Sequence, residues 1–223
     1  MKELARVIPV LDILDGMAVR AVGGRRCEYI PVESPIASSP DPLLLVKNMS
    51  KRFGFDLFYI ADLDAIMGKG SNLGVIHEIV EKTACSYLLD GGYESMADVL
   101  PLPRTTPVIA TETFEEWDSP GDLSQAVASI DIYRGNIISR KYDLTIQNAL
   151  DTFRSAGVRR FIVIHLDAVG MDSFDPASLI EPMEGEEWMA GGGISRKEHL
   201  SALAQKGYSA ALVSSAIHRG DLP

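Results

Sequence analysis

A chain of 223 residues, 46% hydrophobic and 23% charged, is long enough for one large core and ordinary in composition for a globular domain. Its formal net charge of −10 argues against a nucleic-acid or anionic-membrane partner, because both are polyanions, but not against a phosphate held by backbone N–H groups. Cys27 and Cys85 form no CxxC pair, the opening residues lack a signal-peptide pattern, and no apolar run approaches the ~18 residues that span a bilayer, so the expectation is a cytoplasmic protein without a zinc site.

In chain order, short apolar runs alternate with amphipathic stretches. The first run, Val7–Ile13, reads as a strand and is followed by a Gly-, Pro- and Ser-rich stretch over residues 23–41. A helix is predicted over Pro42–Phe53, a second strand over Leu57–Asp62 and a helix over Leu73–Lys82. The third strand is Ser86–Asp90, followed by a helix over Ser95–Leu100; the fourth is Pro107–Thr111. The interval Glu115–Gln125, broken by Pro120 and Gly121, has room only for a stub of helix. A fifth strand over Ala126–Ile132 leads to a helix over Leu144–Ala156, a sixth over Phe161–Leu166 to a helix over Pro176–Glu181, and a seventh over Glu187–Ala190 to a helix over Arg196–Lys206. An eighth strand, Ala210–Val213, precedes a short last helix. Most strands are apolar on successive positions, as parallel strands buried on both faces are.

Eight such units fit a closed (β/α)8 TIM barrel or an open doubly wound sheet. The first strand runs into Asp12-Ile-Leu-Asp15-Gly16 rather than a GxGxxG fingerprint. An internal repeat favours the barrel. Leu-Asp-Ala recurs with Asp64 and Asp167 103 residues apart, Gly91 and Gly192 are 101 apart, and Thr111 and Ser214 are again 103 apart. Asp12 and Asp131 are 119 apart, which gives the first loop about 16 extra residues. The predicted fold is therefore a single domain over residues 1–223, a barrel built from two similar halves.

Barrel sites lie at the C-terminal ends of the strands. Asp12 and Asp131 end strands on opposite sides of the mouth, where one carboxyl can take a proton while the other gives one. A strand-end aspartate also caps loops, but a pair in repeat-equivalent positions points to function. Gly91-Gly92 and Gly191-Gly192-Gly193 precede helices and suit two anion sites, and Ser214-Ser215 follow the eighth strand, beside the habitual phosphate site of barrels. Asp62 and Asp64 end the second strand; His165 and Asp167 end the sixth. His165 either titrates near neutral pH and joins the chemistry or is a hydrogen-bonded wall residue. Arg20 and Gly23-Gly24 lie in the long first loop, a candidate lid, and Arg25-Arg26 read as a solvated pair. Thr111-Glu112-Thr113 offers hydroxyls and one carboxylate.

Ile8-Pro9-Val10-Leu11-Asp12 with Asp15-Gly16 and Val19-Arg20, then Ala61-Asp62-Leu63-Asp64-Ala65 with Gly68, Gly70 and Asn72, resembles the phosphoribosylformimino-5-aminoimidazole carboxamide ribotide isomerases of histidine biosynthesis. Gly91-Gly92 and Gly192-Gly193-Ile194-Ser195 are similar to that family's two glycine loops. The resemblance implies a half-barrel duplication, two phosphate sites, and no metal or organic cofactor. It also implies an Amadori rearrangement of an aminoaldose to an aminoketose, with Asp12 as general base at the sugar C2 and Asp131 as the acid that opens the ring. Departures from the family pattern fall at Tyr93, at Ala110-Thr111-Glu112, at Ile164-His165-Leu166-Asp167-Ala168-Val169-Gly170 and at Ser214-Ser215. They weaken the phosphate site at the third and fourth strands more than the one at the seventh and eighth. The alternatives are a paralogous barrel enzyme on a different monophosphorylated substrate, as in cofactor biosynthesis, and a non-catalytic barrel that binds a phosphorylated ligand. The expected partner is a phosphorylated small molecule, on a monomer or small homo-oligomer.

Overall fold

The computed structural model describes residues 4–222. Its strands are β1 (Arg6–Leu14), β2 (Met17–Arg20), β3 (Ile30–Pro31), β4 (Leu57–Asp62), β5 (Ser86–Asp90), β6 (Thr105–Ala110), β7 (Val127–Tyr133), β8 (Asn136–Ile137), β9 (Arg160–His165), β10 (Glu187–Gly191) and β11 (Ala210–Val213). Eight of them, β1, β4, β5, β6, β7, β9, β10 and β11, pair in parallel in that order, and β11 pairs back onto β1. The sheet closes on itself as a (β/α)8 barrel, which leaves its eight staves no open edge.

The helices are α1 (Pro42–Phe53), α2 (Leu63–Ile66), α3 (Leu73–Lys82), α4 (Ile146–Ser155), α5 (Lys197–Gln205) and α6 (Ser215–Arg219). Local chemistry sets the ends of α1. The Asp41 carboxylate accepts the Leu44 N–H at 3.0 Å, Pro42 occupies the first turn, and Gly54 closes the helix in the left-handed region. Two expected helices are absent. Ser95–Leu100 and Pro176–Glu181 each hold a single 3-10 turn, Met96–Asp98 and Pro176–Ser178. Six residues bounded by Pro101 or Pro182 do not recover the cost of helix nucleation. The interval 115–125 holds no helix. Trp117 covers the wall there instead, its ring 5.3 Å from Phe114 and 5.0 Å from Phe153.

The stave register divides side chains into two sets, because successive residues of a strand face opposite sides. Ile8, Tyr59, Leu88, Val108, Val127, Ile162, Met189, Ala210 and Leu212 form one cluster, the barrel interior. Phe58, Ile60, Tyr87, Ala128, Phe161, Val163 and Trp188 pack outward with the helices. Phe161 and Trp188, side by side on β9 and β10, stack at 4.9 Å. The long first loop is partly ordered as strand. Asp15 (φ 48°) and Gly16 (φ 76°) make the tight turn that folds β2 back antiparallel onto β1, and β3 adds to β2.

Candidate active site

The parity of the interior cluster, continued in steps of two along each stave, brings four groups to the mouth. Asp12 is in register with Ala61, Ala61 with Asp90, and Asp131 with Ile164, which is in register with Gly191. Asp12, Asp90 and Asp131 therefore face the same cavity from β1, β5 and β7, joined at its rim by Glu112 just after β6. Gly191, Gly192, Gly193, Ser214 and Ser215 line its other side, with Arg219.

Each carboxyl has a distinct environment. Oδ2 of Asp12 is sealed from solvent and has no hydrogen-bond partner. Burial pushes this carboxyl up to about 7, against the pull of the Arg26 guanidinium. Asp131 is 4% exposed; the Ser129 hydroxyl donates to it at 2.7 Å, and its N–H donates to Thr111 Oγ1 at 3.0 Å. Burial and then repulsion from Glu112 raise it to about 6, while Ser129 and Arg26 hold it down. Asp90 accepts from the Tyr59 hydroxyl and the Gly92 N–H, both at 3.2 Å. Burial and then the charge of Asp131 raise it to about 8. Arg26 crosses from the first loop and donates to both oxygens of Glu112 at 2.6 Å, a two-pronged pair with both side chains mostly buried.

Of the residues singled out in the sequence, the fold brings Asp12, Asp131, Gly192, Gly193, Ser214 and Ser215 together around this cavity. Glu112, Gly191 and Arg26 join them, whereas Gly91, Gly92, Asp62, Asp64, His165, Asp167, Arg20, Gly24 and Thr111 lie outside its lining. Gly91, Gly92 and Asp62 border a separate crevice. Asp62 accepts from Ala65 N–H, the Ser71 hydroxyl and both nitrogens of Asn72, and Asp64 accepts from Asp15 N–H and Asn72, so these carboxylates tie the β4 loop to the β1–β2 turn. His165 points off the mouth, its Nε2 3.1 Å from the Ser178 hydroxyl, and burial lowers its pKa. Asp167 and Arg20 are exposed. Thr111 is fully buried, bridging β6 to β7, and Gly24 packs under Leu166 and Tyr133. Arg26, read in sequence as half of a solvated pair, is instead inside the mouth; only Arg25 is exposed.

Sequence reasoning passed over Asp90 and Tyr59, took Arg26 for a solvated residue, and named Glu112 only as the carboxylate after the fourth strand. The signal for Asp90 and Tyr59 was present: counting in twos from Asp12 across the parallel register reaches both. Ser195, at the end of the β10 glycine loop, entered the sequence reading only as part of the glycine-loop motif. It is 3% exposed, its hydroxyl has no partner, and its N–H donates to His199 at 3.2 Å.

Among the described residues no helix is long and apolar enough to cross a membrane, and no three His, Cys, Asp or Glu side chains are grouped to hold a metal ion.

Fold and site together define a (β/α)8 barrel whose stave ends present paired buried carboxyls opposite a glycine- and serine-rimmed pocket. The chain belongs to the family described as histidine biosynthesis protein, which it matches over residues 6–223. It is 30% identical to an uncharacterized protein of Methanocaldococcus jannaschii over 97% of this chain and 95% of that one. It is 25% identical to the 1-(5-phosphoribosyl)-5-((5-phosphoribosylamino)methylideneamino) imidazole-4-carboxamide isomerase of Nitrosopumilus maritimus, and 27% identical to that of Thermococcus onnurineus, each over 97% of this chain and 95% of the relative. The resemblance to the ribotide isomerases read from the motifs thus holds at the level of the family.

Proposed function

We propose that this barrel is an isomerase that converts a phosphorylated aminoaldose or ribotide into the aminoketose by general acid–base catalysis. The observation that carries the reading is that Asp12 and Asp131, from staves across the mouth, line one cavity with carboxyls held at about 7 and about 6. Both can exchange protons near neutral pH, which an ordinary surface carboxylate cannot.

In this reading Asp131 gives a proton to the ring oxygen as the C1–O bond breaks, and the nitrogen lone pair forms C1=N. Asp12 then takes the C2 proton, and the C–H electrons form the C1=C2 enolamine while the iminium is neutralised. Proton return to C1 and loss from the C2 hydroxyl give the aminoketose. The β10 and β11 loops, with Gly192, Gly193, Ser214 and Ser215, are the proposed phosphate cradle, and the unpartnered Ser195 hydroxyl stands beside them. Purified protein incubated with the ribotide named for the relatives should form the isomerised product. Asp12→Asn and Asp131→Asn should each lower kcat by about 10²–10⁴-fold with the fold intact by circular dichroism. Turnover that is indifferent to both substitutions would refute the assignment.

One observation favours a second reading, a barrel enzyme acting on a different, monophosphorylated substrate with the same carboxyl pair. Tyr93 fills the space over Gly91, and Glu112 puts a carboxylate at the end of β6, so the β5–β6 side is poorly suited to a second phosphate. Turnover of a monophosphate and not of the bis-phosphorylated ribotide would select it.

A further inference from the structure

Tyr59 and Asp90 line the cavity that Asp12 and Asp131 share, and the proton transfers above use neither of them. Tyr59 stands on β4, between the staves of Asp12 and Asp90. Its register partners are Val10 on β1 and Leu88 on β5, one step of two below the level of the carboxyls. Its side chain rises from there to the mouth, where the hydroxyl meets Oδ2 of Asp90 at 3.2 Å. Burial, then the charges of Asp90, Asp131 and Asp12, push the Tyr59 hydroxyl up from its ordinary value. The phenol therefore stays neutral, and it sits where it feels all three carboxyls.

The number of protons on the pair sets which way it points. Oδ1 of Asp90 accepts the Gly92 N–H at 3.2 Å, as the carbonyl oxygen of a neutral acid does, which leaves Oδ2 to carry the acid proton. Burial and the charge of Asp131 keep that proton on Asp90 up to about 8. An ionised Asp90 would take the phenol proton for itself. The neutral acid instead donates from Oδ2 to the Tyr59 oxygen, and the single phenol proton is released. Among the described residues Asp90 is the one hydrogen-bond partner of the Tyr59 hydroxyl, so the released O–H is left to the cavity.

We propose that Tyr59 is a further substrate-contacting residue, whose hydroxyl, oriented by Asp90, donates to the C2 oxygen of the sugar. This rests on the isomerase reading above. Tyr59 lies on the stave next to that of Asp12, so the oxygen it meets is the one on the carbon from which Asp12 takes the proton. In the last steps the C2 hydroxyl proton passes to the Asp131 carboxylate emptied at ring opening. The O–H electrons stay on oxygen, where negative charge builds, and then close C2=O as the C1=C2 pair takes the proton back from Asp12 to form the C1–H bond. Asp12 ends ionised and Asp131 protonated, as they began. A fixed neutral donor aimed at the C2 oxygen stabilises the charge that builds there. Asp90 acts through Tyr59 and is a positioning residue.

Titration calorimetry with ribose 5-phosphate and 2-deoxyribose 5-phosphate reads this contact separately from turnover. The wild-type protein is expected to bind ribose 5-phosphate about tenfold more tightly, because the deoxy sugar leaves the buried phenol without an acceptor. Tyr59→Phe should bring the two affinities to within about twofold of each other, whereas a merely structural role would weaken both sugars alike and leave their ratio unchanged. Asp90→Asn should keep the wild-type ratio to within about twofold, since an amide N–H replaces the acid O–H as donor to Tyr59. With the ribotide as substrate, Tyr59→Phe should lower kcat by about 10²-fold and change KM less. No preference for the 2-hydroxyl, a preference that survives Tyr59→Phe or is lost in Asp90→Asn, an unaltered kcat in Tyr59→Phe, or no binding of ribose 5-phosphate would overturn the proposal. The expected affinities in a protein that forms no product from the ribotide would instead overturn the isomerase reading and leave the contact between Tyr59 and the sugar standing.

Discussion

If Asp12 acts as base and Asp131 as acid, their pKa values are crossed: the base titrates at about 7 and the acid at about 6. The competent protein has Asp12 ionised and Asp131 protonated. Near pH 6.5, between the two values, only a minority of molecules hold both groups in the required form at once. At pH 8.5 Asp12 is ionised but Asp131 has lost its proton, and at pH 4.5 the limitation reverses, so the competent fraction falls by roughly an order of magnitude either way. The profile of kcat/KM against pH, which reports the free enzyme, should be a bell centred near 6.5. Glu112→Gln supplies the directional test, because repulsion from Glu112 helps keep Asp131 high. Without that charge Asp131 titrates lower, which moves the acid limb to lower pH and reduces the peak. A profile flat from pH 5 to 8, or an optimum that moves upward in Glu112→Gln, would refute the assignment of roles.

Asp90 should make stability depend on pH. Its folded-state pKa is raised to about 8 from an ordinary value near 3.8, so the folded state holds a proton that the unfolded state releases, and stability falls as pH rises between those values. Asp90→Asn should remove a penalty of a few kcal/mol at pH 8 and raise Tm there by several degrees, with little gain at pH 4; equal gains at both pH values in a thermal melt would contradict this. Gly170→Ala should destabilise by roughly 1–3 kcal/mol in urea unfolding, because Gly170 has φ +71° and an added Cβ would lie 2.0 Å from the Ala21 carbonyl oxygen.

The barrel was legible because its staves are continuous apolar runs, and buried parallel strands leave that mark. The helices were legible where an amphipathic period ran for ten residues, as in α1 and α3, and misread where only six residues stood before a proline. Asp12 and Asp131 could be found from position alone, as polar residues near the ends of apolar staves. Asp62 and His165 were drawn into the candidate list because they sit at stave ends and match each other in the repeat. Both have the wrong parity: Asp62 is in register with Ile13, and His165 with Ile132, outward-facing residues on the neighbouring staves. Asp90 has the right parity, but without the register nothing in its own segment separates it from a loop-capping aspartate. Arg26 and Glu112 are 86 residues apart, and no local pattern predicts that they meet.

The meeting of Arg26 and Glu112 gives the long first loop its physical purpose. A stave that ended at Asp12 and turned directly into a helix would leave the carboxyls of the mouth with no cation beside them. The extra residues fold as β2 and β3, cross to the loop after β9, and are clasped there by the Gly23 N–H bonded to the Val169 carbonyl at 2.8 Å. From that anchor Arg26 reaches Glu112 across the mouth. One guanidinium then lowers Asp12 and Asp131 together while burial raises both, and the balance leaves them in the range where protons move at neutral pH. Without the cation both carboxyls would titrate higher, Asp12 most of all, because Arg26 is the charge that opposes its burial. One bridging arginine thus sets both buried carboxyls of the mouth against the same cation, and burial outweighs it at each.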